Sequence, residues 1–499
     1  MERLSYKTLE KLGFEGYLMP EGTERVLQFG EGNFLRAFVD YMIDAANETG
    51  KMDCGVAVIK PIAAGSLEAF RRQNNLYTVS LRGSENGVPT VENRVVTSVQ
   101  GVYDCYTEYE AYIKLAELDT LEFVVSNTTE AGIVLDETDS LKSCPPETYP
   151  GKLTQFLWRR YQFFNGDPDR GLVIIPVELI ERNGEKLKEC VLRLAEIWKL
   201  EEGFAVWIKS ACVFCSTLVD RIVTGYPKGN AEALWEELGY RDDLVDTAEP
   251  FGFWVIESER DISARLPLDK AGQPVLFTDN QRPYRERKVR ILNGAHTSTV
   301  PAAFLMGKTI VREAMHDPLI RSFMTTDVYD ENVPTVPLPK EEAEAFAKKV
   351  FERFENPFVD HALLSITLNS VSKWKARILP SFRDSYRENG KIPALLTFSF
   401  AALLAFYSGG ESRDGKWMGR HDGEWYEILD DQPVLEFFKE NAGVSAEELA
   451  ALAAARTDFW GEDLSGYPEF AAKAGSHLRM IREQGMEAAM KAVLAEGKV

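Results

Sequence analysis

Residues 25–44, RVLQFGEGNFLRAFVDYMID, decide how the N-terminal half of this 499-residue chain folds. The short apolar run 25–29 is typical of a buried strand, and residues 37–44 have the spacing of an amphipathic helix. Between them, Gly30 and Gly32 permit a tight turn that can approach a pyrophosphate, which the free N–H groups of the following helix attract. The pattern G-x-G-x-x-x-R lacks the third glycine of the usual dinucleotide fingerprint, so a plain strand–turn–helix connection is the alternative.

The positions around this glycine turn are the first candidates for a cofactor site. We expect a dinucleotide to be lined by Gln28, Phe29, Gly30, Glu31, Gly32, Asn33, Phe34, Leu35 and Arg36. Arg36 can either reach a phosphate or lie along the surface of its helix. At the end of the next predicted strand, 55–61, Lys60 stands where an acid often binds the ribose hydroxyls. Because no acid stands there, this position does not decide between NAD and NADP, and Lys60 could accept the 2′-phosphate of NADP.

Strand-like and helix-like segments alternate through the rest of this half. Strands are predicted at 76–82, 91–99, 121–126 and 171–177, and edge strands at 254–257 and 275–277. Helices are predicted at 109–118, 153–164 and 185–198. This alternation predicts an α/β fold with a Rossmann-type, doubly wound parallel sheet.

A polar turn follows the strand predicted at 121–126. Its residues Asn127, Thr128 and Glu130 are candidates to line the cofactor, because the carboxyl ends of parallel strands face the ligand crevice. Capping of a following helix is the other role that such residues serve.

The C-terminal half has a different pattern. We place the boundary in the polar segment 279–287, which gives a dinucleotide-binding domain over 1–282 and a mostly helical substrate domain over 283–499. Residues 408–424 are rich in glycine and polar residues and are predicted to be a loop. Helices are predicted at 302–306, 309–315, 319–326, 341–354, 362–371, 391–407, 434–440, 446–455 and 468–491.

Composition limits the partners of this protein. The 57 Lys and Arg against 78 Asp and Glu give a net charge of −21, which disfavours nucleic acid and anionic membrane surfaces as partners. The chain has no long apolar run and no apolar signal core at its start, so we expect a cytoplasmic protein without an obligatory protein partner. Cys212 and Cys215 form a C-x-x-C pair in an apolar run, where buried thiols are a better interpretation than a zinc or redox site. The histidines have no metal-ligand spacing, and no metal is expected.

The stretch KVRILNGAH, residues 288–296, contains the candidate chemistry. On an α-helix Asn293 would lie about 140° and His296 about 80° around the axis from Lys288. A kink of the helix at Gly294 could bring the Asn293 side chain closer to Lys288 and His296. An amine, an amide donor and an imidazole suffice to polarise a carbonyl and move one proton. A basic helix start followed by a polar turn is the alternative.

Two groups of cations could bind an anionic substrate. The segment 282–290 contains four arginines and Lys288, and it is either an anion site or a solvated face. Lys373 and Arg377, together with Asn369, are spaced four residues apart on one predicted helical face and could bind a substrate carboxylate. An exposed helix face is the other interpretation of this pair.

Six segments together resemble the mannitol dehydrogenase family of long-chain polyol and sugar-acid dehydrogenases. They are QFGEGNFLRAF (28–38), SNTTEAG (126–132), PVELIERNG (176–184), CSTLVDRIVTGYP (215–227), YRERKVRILNGAHT (284–297) and RILPS (377–381). The K-x-x-x-x-N-x-x-H spacing is specific only together with the N-terminal G-x-G-N-F-x-R. The resemblance implies a Rossmann-type domain, a mostly helical C-terminal domain, and catalysis between them.

The resemblance also implies roles for individual residues. Lys288 matches the catalytic lysine, Asn293 the asparagine that polarises the carbonyl, and His296 the histidine that contacts substrate. Polyol members use a second asparagine where this chain has Leu179, beside Glu178, and we expect Glu178 to contact a different, acidic substrate. The implied reaction is metal-independent hydride transfer between NADH and a keto-hexuronate. Another sugar acid or a polyol as substrate, and a catalytically inactive nucleotide-binding regulator, are the alternatives.

Overall fold

A computed structural model describes residues 1–85, 87–129 and 131–496. The chain divides into two compact units. The first contains residues 1–83 and 90–281, and the second contains residues 84–89 and 282–499.

A six-stranded sheet is the centre of the first unit. The strands of the N-terminal part of the chain are β1 Glu24–Phe29, β2 Gly55–Lys60, β3 Tyr77–Glu85, β4 Val88–Val96, β5 Val99–Asp104, β6 Phe123–Ser126, β7 Val173–Pro176, β8 Val213–Phe214, β9 Ser216–Asp220, β10 Val223–Gly225, β11 Asp246–Ala248, β12 Phe253–Glu257 and β13 Val275–Thr278. In the large sheet the order is β5-β2-β1-β6-β7-β8, and the paired strands are parallel. The predicted Rossmann-type α/β fold is confirmed.

The strands of this sheet are apolar on both faces because helices cover both. Val56 and Val58 of β2 belong to one buried cluster, whereas Ala57 and Ile59 belong to the other. Every residue of β2 is buried, as expected for a parallel strand between two layers of helices. The α-helices of this part of the chain are Tyr6–Leu12, Asn33–Leu35, Tyr41–Glu48, Glu68–Arg72, Tyr109–Lys114, Tyr149–Phe163, Asn183–Ile197, Glu202–Ser210 and Ala231–Leu238.

Three details of the first unit differ from the prediction. The strand predicted at 91–99 ends at Val96, and Val99 begins β5, which belongs to the six-stranded sheet. Strand β12 was expected at an edge but is the central strand of the sheet β13-β12-β9, and its residues Trp254 to Ile256 are fully buried. The helix expected from residue 153 begins at Tyr149, because the Thr148 hydroxyl accepts a hydrogen bond from the Gly151 N–H and Pro150 occupies the first turn. This start is a capping signal with proline in the first turn.

The second unit is mostly helical, as predicted. Its α-helices are Arg282–Arg287, Gly294–Phe304, Val311–His316, Pro318–Thr326, Lys340–Phe354, Leu363–Ile366, Ser370–Arg377, Leu379–Asn389, Ala394–Tyr407, Gln432–Glu440, Ala446–Ala454, Thr457–Trp460, Phe470–Gln484 and Met486–Glu496. The long apolar helix Ala394–Tyr407 packs against Gly294–Phe304 and Phe470–Gln484 at the centre of this unit.

Three predictions for the second unit were wrong. The polar segment 408–424 is not a loop but contributes to a three-stranded antiparallel sheet, β14 Glu411–Arg413, β15 Lys416–His421 and β16 Glu424–Glu427. The helix predicted at 362–371 is interrupted because Asn369 takes a left-handed conformation with φ of 52°. Gly485, with φ of 89°, likewise divides the helix predicted at 468–491.

The cysteines fit the buried-thiol interpretation. Cys212 and Cys215 are free and buried, and burial raises the pKa of each thiol to about 12. Within the described residues no group of three or more His, Cys, Asp or Glu side chains could hold a metal ion. None of the described helices is long and apolar enough to cross a membrane.

Candidate active site

The glycine turn after β1 has the backbone that a dinucleotide phosphate requires. Gly30 adopts φ of 123°, and a Cβ there would lie 3.2 Å from the carbonyl oxygen of Asn127, so a larger residue would be strained. A Cβ on Gly32 would meet no atom within 4 Å, which leaves open space at the start of the helical segment 33–48. Gly32, at the N-cap position, has no side chain that could cap this start, so the first N–H groups of the segment can face an anion. These features fit a dinucleotide phosphate.

Three of the expected cofactor residues have side chains that face the protein interior. Gln28, Phe29 and Leu35 are fully or almost fully buried. The Gln28 amide donates to the carbonyl of Gly30 at 3.1 Å and to Asp40 at 3.2 Å. The Phe29 ring packs against aromatic rings of the core. These side chains therefore support the turn from below, and only their backbone could touch a cofactor.

Arg36 also points inward, on a short π-helix, Arg36–Asp40. Its guanidinium donates to Asn33 at 2.5 Å and to the carbonyl of Leu244, and it lies 3.6 Å from buried Asp246. Burial raises the pKa of Asp40 and that of Asp246 to about 7. Arg36 is buried and held by these protein groups, so the surface position considered from the sequence is wrong. Its contact with a cofactor phosphate stays a prediction.

Lys60 does not offer its ammonium group to a 2′-phosphate. The side chain is buried, and Nζ donates to the carbonyls of Ile62, Ala63 and Ala64. It also forms an ion pair of 3.1 Å with Asp104. The lysine therefore holds the loop after β2.

The polar turn after β6 lies beside the glycine turn. The Asn127 N–H donates to the carbonyl of Phe29 at 3.2 Å, and Thr128 and Ser126 donate to the carboxylate of Glu178. Glu130 lies outside the described residues. Burial raises the pKa of Glu178, while its hydrogen bonds oppose that rise. Both carboxylate oxygens accept hydrogen bonds from the protein, and Glu178 is almost fully buried. These features favour a structural role, and the expected substrate contact stays a prediction.

Lys288 and Asn293 lie on a second π-helix, Lys288–Asn293, which continues at Gly294 as an α-helix. A π-turn closes its hydrogen-bonded ring over five residues rather than four, so residues five apart approach the same side of the helix. The separation of about 140° expected for an α-helix therefore does not apply. Both side chains are half-buried. Short π segments occur frequently at functional sites.

His296 follows on the α-helix and is buried. Its ring stacks on Phe354 with centroids 4.2 Å apart and meets His361 edge-on at 5.5 Å. Within the described part of the chain, Nε2 has no hydrogen-bond partner. Burial, followed by the charges of neighbouring groups, lowers the pKa of His296 well below its usual value, so the ring is neutral near pH 7. A buried polar atom without a partner is rare in a folded protein and indicates a place for a ligand or water.

The basic segment 282–290 is mostly neutralised by carboxylates. Arg282 pairs with Glu286, Arg287 with Glu342, and Arg290 with Glu286 and Asp384. The expected anion site is therefore not supported for these three arginines.

The second pair of cations is different. Lys373 and Arg377 are half-buried on the helix Ser370–Arg377, and no described carboxylate lies within ion-pair distance of either. Lys373 donates to the carbonyl of Ile366 at 2.8 Å, and Arg377 to the Thr297 hydroxyl at 3.4 Å. Burial lowers the pKa of both side chains. The charge of Arg377 further lowers the pKa of Lys373, and the charge of Asp430, beyond ion-pair distance, opposes this change. Both charges also disfavour protonation of His296, so the three residues lie in one electrostatic environment.

Sequence reasoning missed two residues of this environment. The charge of Arg353 contributes to the lowered pKa of His296, and the His361 ring contacts the His296 ring. They are more than fifty positions away along the chain, and neither belongs to a motif. Only the packing of Lys340–Phe354 brings Arg353 and Phe354 to this place.

Comparison with known proteins agrees with both units. The Mannitol dehydrogenase Rossmann domain matches residues 24–270, and the Mannitol dehydrogenase C-terminal domain matches residues 280–482. The chain is 44% identical to the altronate oxidoreductases of Escherichia coli O7:K1 and Shigella flexneri, over 97% of this chain and 99% of each relative.

Two solved structures share the fold at 22% sequence identity. The mannitol 2-dehydrogenase of Pseudomonas fluorescens, in a ternary complex with NAD and D-mannitol, has a TM-score of 0.71 and covers 99% of both chains. A substrate-free D-sorbitol dehydrogenase has a TM-score of 0.81 and covers 98% of this chain and 100% of its own. Together, the fold and the family models define an oxidoreductase. The chain belongs to the mannitol dehydrogenase family, and the resemblance seen in its sequence is confirmed.

Proposed function

We propose that this protein interconverts D-altronate and D-tagaturonate with NAD(H), a step of hexuronate catabolism. The relatives of 44% identity over nearly the whole chain are altronate oxidoreductases. The structural observation that carries the proposal is the pair Lys373 and Arg377, two half-buried cations without a carboxylate partner among the described residues. In a chain of net charge −21, such a pair favours an acidic substrate over a neutral polyol.

The first unit would hold the cofactor. We assign the pyrophosphate to the open start of the helical segment at Gly32 and Asn33, with Glu31 and Phe34 beside it. Asn127 and Thr128 line the neighbouring turn. When bound, NADH supplies the hydride that reduces the ketone carbon.

The second unit would supply the proton and the substrate contacts. Protonated Lys288 donates its proton to the ketone oxygen as the alcohol forms, and in the reverse direction neutral Lys288 removes the hydroxyl proton. The Asn293 amide donates a hydrogen bond to the same oxygen and stabilises its developing charge. Neutral His296 contacts a substrate hydroxyl through Nε2. Lys373 and Arg377 bind the substrate carboxylate.

The substrate proposal is tested by following NADH oxidation at 340 nm. Tagaturonate, fructuronate and fructose are compared in parallel, each with NADH and with NADPH. We expect the highest kcat/KM with tagaturonate and NADH, and little activity with fructose, which has no carboxylate. A higher kcat/KM with fructuronate would replace the substrate but keep the reaction class. Binding of NADH without turnover of any sugar or sugar acid would instead favour an inactive nucleotide-binding regulator.

We also propose a cytoplasmic location. All six cysteines are free thiols, as is usual in a reducing compartment. A small sugar acid is the partner that the proposed reaction requires.

A further inference from the structure

Glu178 is a buried carboxylate that accepts hydrogen bonds from the last residue of the neighbouring strand β6 and from the turn that follows it. Strands β6 and β7 are parallel, and Ser126 pairs with Pro176 at their carboxyl ends. Two residues after β7 ends, Glu178 is 2% exposed. Its Oε2 accepts from the Ser126 hydroxyl at 3.1 Å, and its Oε1 accepts from the Thr128 N–H at 3.0 Å and the Thr128 hydroxyl at 2.9 Å.

The turn that Glu178 holds is strained and closely packed. Thr129 takes φ of 88°, which is unfavourable for a β-branched residue. A Cβ on Gly132 would lie only 2.0 Å from the Thr128 hydroxyl oxygen. Such a conformation persists only where the surroundings impose it. The carboxylate of Glu178 accepts three hydrogen bonds from Ser126 and Thr128, which lie just before Thr129 in the chain.

The same turn touches the glycine turn of the cofactor site. The Asn127 N–H donates to the Phe29 carbonyl at 3.2 Å. The Asn127 carbonyl oxygen would lie 3.2 Å from a Cβ on Gly30. A displacement of residues 126–128 would therefore move the wall against which Gly30 packs.

We propose that Glu178 is a positioning residue for the cofactor, which it serves by holding the 126–128 turn against Gly30, and that it is not a substrate ligand. This inference rests on the proposed function, because it assumes that the glycine turn binds NAD(H). Leu179, the next residue, is 63% exposed. Of these two neighbours, Leu179 is therefore the one whose side chain a ligand can reach, and the buried side chain of Glu178 bonds to the protein.

The test compares Glu178→Ala and Glu178→Gln with the wild type. NADH affinity is measured by fluorescence titration without sugar acid, and kcat and KM for tagaturonate are measured at saturating NADH. Glu178→Ala leaves three donors without their acceptor, and we expect the Kd for NADH to rise about tenfold or more while KM for the sugar acid changes little. Glu178→Gln keeps one acceptor oxygen for both Thr128 donors, and its NH2 group can donate to the Ser126 hydroxyl. We therefore expect NADH affinity close to that of the wild type.

Two further variants keep the test decisive if Glu178→Ala does not fold. Thr128→Val removes one hydrogen bond to Oε1 and should weaken NADH binding about threefold to tenfold. Thr128→Ser keeps the hydroxyl donor, so NADH binding should not weaken. Glu189→Gln, on the exposed face of the following helix, is the matched surface control. An increase of KM for the sugar acid in Glu178→Gln, with unchanged NADH affinity, would overturn the inference and make Glu178 a substrate ligand. Unchanged NADH affinity in Thr128→Val would also overturn it.

The two proposals fail in different ways. If the wild-type protein does not bind NADH, the proposed function fails. If it binds NADH and every Glu178 and Thr128 variant binds equally well, only the positioning role fails.

Discussion

Two π-helical turns, one in each unit, carry polar residues of the family motifs but use them differently. In Arg36–Asp40 the polar side chains contact the surrounding protein: Arg36 contacts Asn33 and Asp246, and Asp40 contacts Gln28 and Tyr77. In Lys288–Asn293 the lysine and the asparagine are half-buried. The helix that continues from this turn carries a buried imidazole whose Nε2 has no described partner. The charged groups of the first turn bond mainly to the surrounding protein, although Arg36 Nε and Asp40 Oδ1 have no described partner either. We propose that the second turn presents groups for a reaction.

This contrast separates structural from functional polar residues better than residue type does. Both turns overlap segments that carry the resemblance to the family, residues 28–38 for the first turn and 284–297 for the second. Loss of a side chain from the first should change stability, and loss of a side chain from the second should change turnover.

The largest effect is expected from Lys288→Met. Removing the proton donor should lower kcat by about 10²- to 10⁴-fold, the usual contribution of general acid catalysis. NADH affinity and the midpoint of thermal unfolding should stay near wild-type values. Stopped-flow NADH oxidation and a thermal melt measure both. A kcat within threefold of the wild type would remove Lys288 from the mechanism.

Asp40→Asn tests the supporting turn through the pH dependence of stability. The pKa of Asp40 is raised to about 7 in the fold by burial, against the opposing effects of Gln28, Tyr77 and Arg36 and alongside the charge of Asp44. The folded state therefore binds a proton that the unfolded state releases near pH 4, so stability is greatest below about pH 4 and falls as pH rises towards 7.

The Asn variant cannot release this proton. Relative to it, the wild type should lose about 1.4 kcal/mol of unfolding free energy per pH unit between about pH 4 and 7. Urea unfolding at several pH values measures the difference, and Asp246 contributes equally to both proteins. Parallel stability curves would show that Asp40 is ionised throughout.

Much of the fold could be predicted from the sequence because the strands and glycine turn have strong local patterns. The parallel sheet follows from short apolar runs separated by helices. The central position of β12 did not follow, since its partners β9 and β13 are remote in sequence and only their pairing buries Trp254. The sheet at β14–β16 was missed because its glycine-rich turns dominate the local composition.

The sequence predicts which residues belong to the candidate site, but not which of its cations form ion pairs with carboxylates. The segment 282–290 and the pair Lys373 and Arg377 are both basic in sequence. The two groups differ in charge neutralisation, because Glu342 and Asp384 pair with arginines of the segment 282–290. Both acids lie more than fifty residues away from their arginine partners. The π geometry of Lys288–Asn293 also has no local sequence signal, so the α-helical spacing was the natural assumption.

Arg377→Leu should affect substrate binding rather than the chemical step. Losing one of two cations at the carboxylate should raise KM for tagaturonate about tenfold to a hundredfold, because hydrogen bonds to charged groups contribute about 1.5–3 kcal/mol. The Kd for NADH should not change. Lys373→Met should give the same result, and a neutral ketose such as fructose serves as the control substrate. An equal loss with fructose would show that the pair does not recognise the carboxylate.

The smallest effect is expected from Arg282→Ala. Arg282 is exposed and paired with Glu286, and such surface pairs contribute about 0–1 kcal/mol. Stability should fall by no more than that, and KM for tagaturonate should be unchanged. A clear rise in KM would return the segment 282–290 to the substrate site.

The most direct test of the account is a crystal structure of the protein with NADH and D-altronate, a pair of reduced ligands that cannot react with each other. We predict that Lys288 Nζ and the Asn293 amide both contact the altronate hydroxyl oxygen that corresponds to the ketone, and that Lys373 and Arg377 contact the carboxylate. Altronate bound with its carboxylate away from this pair, or with Lys288 remote from every hydroxyl of the sugar acid, would contradict the account.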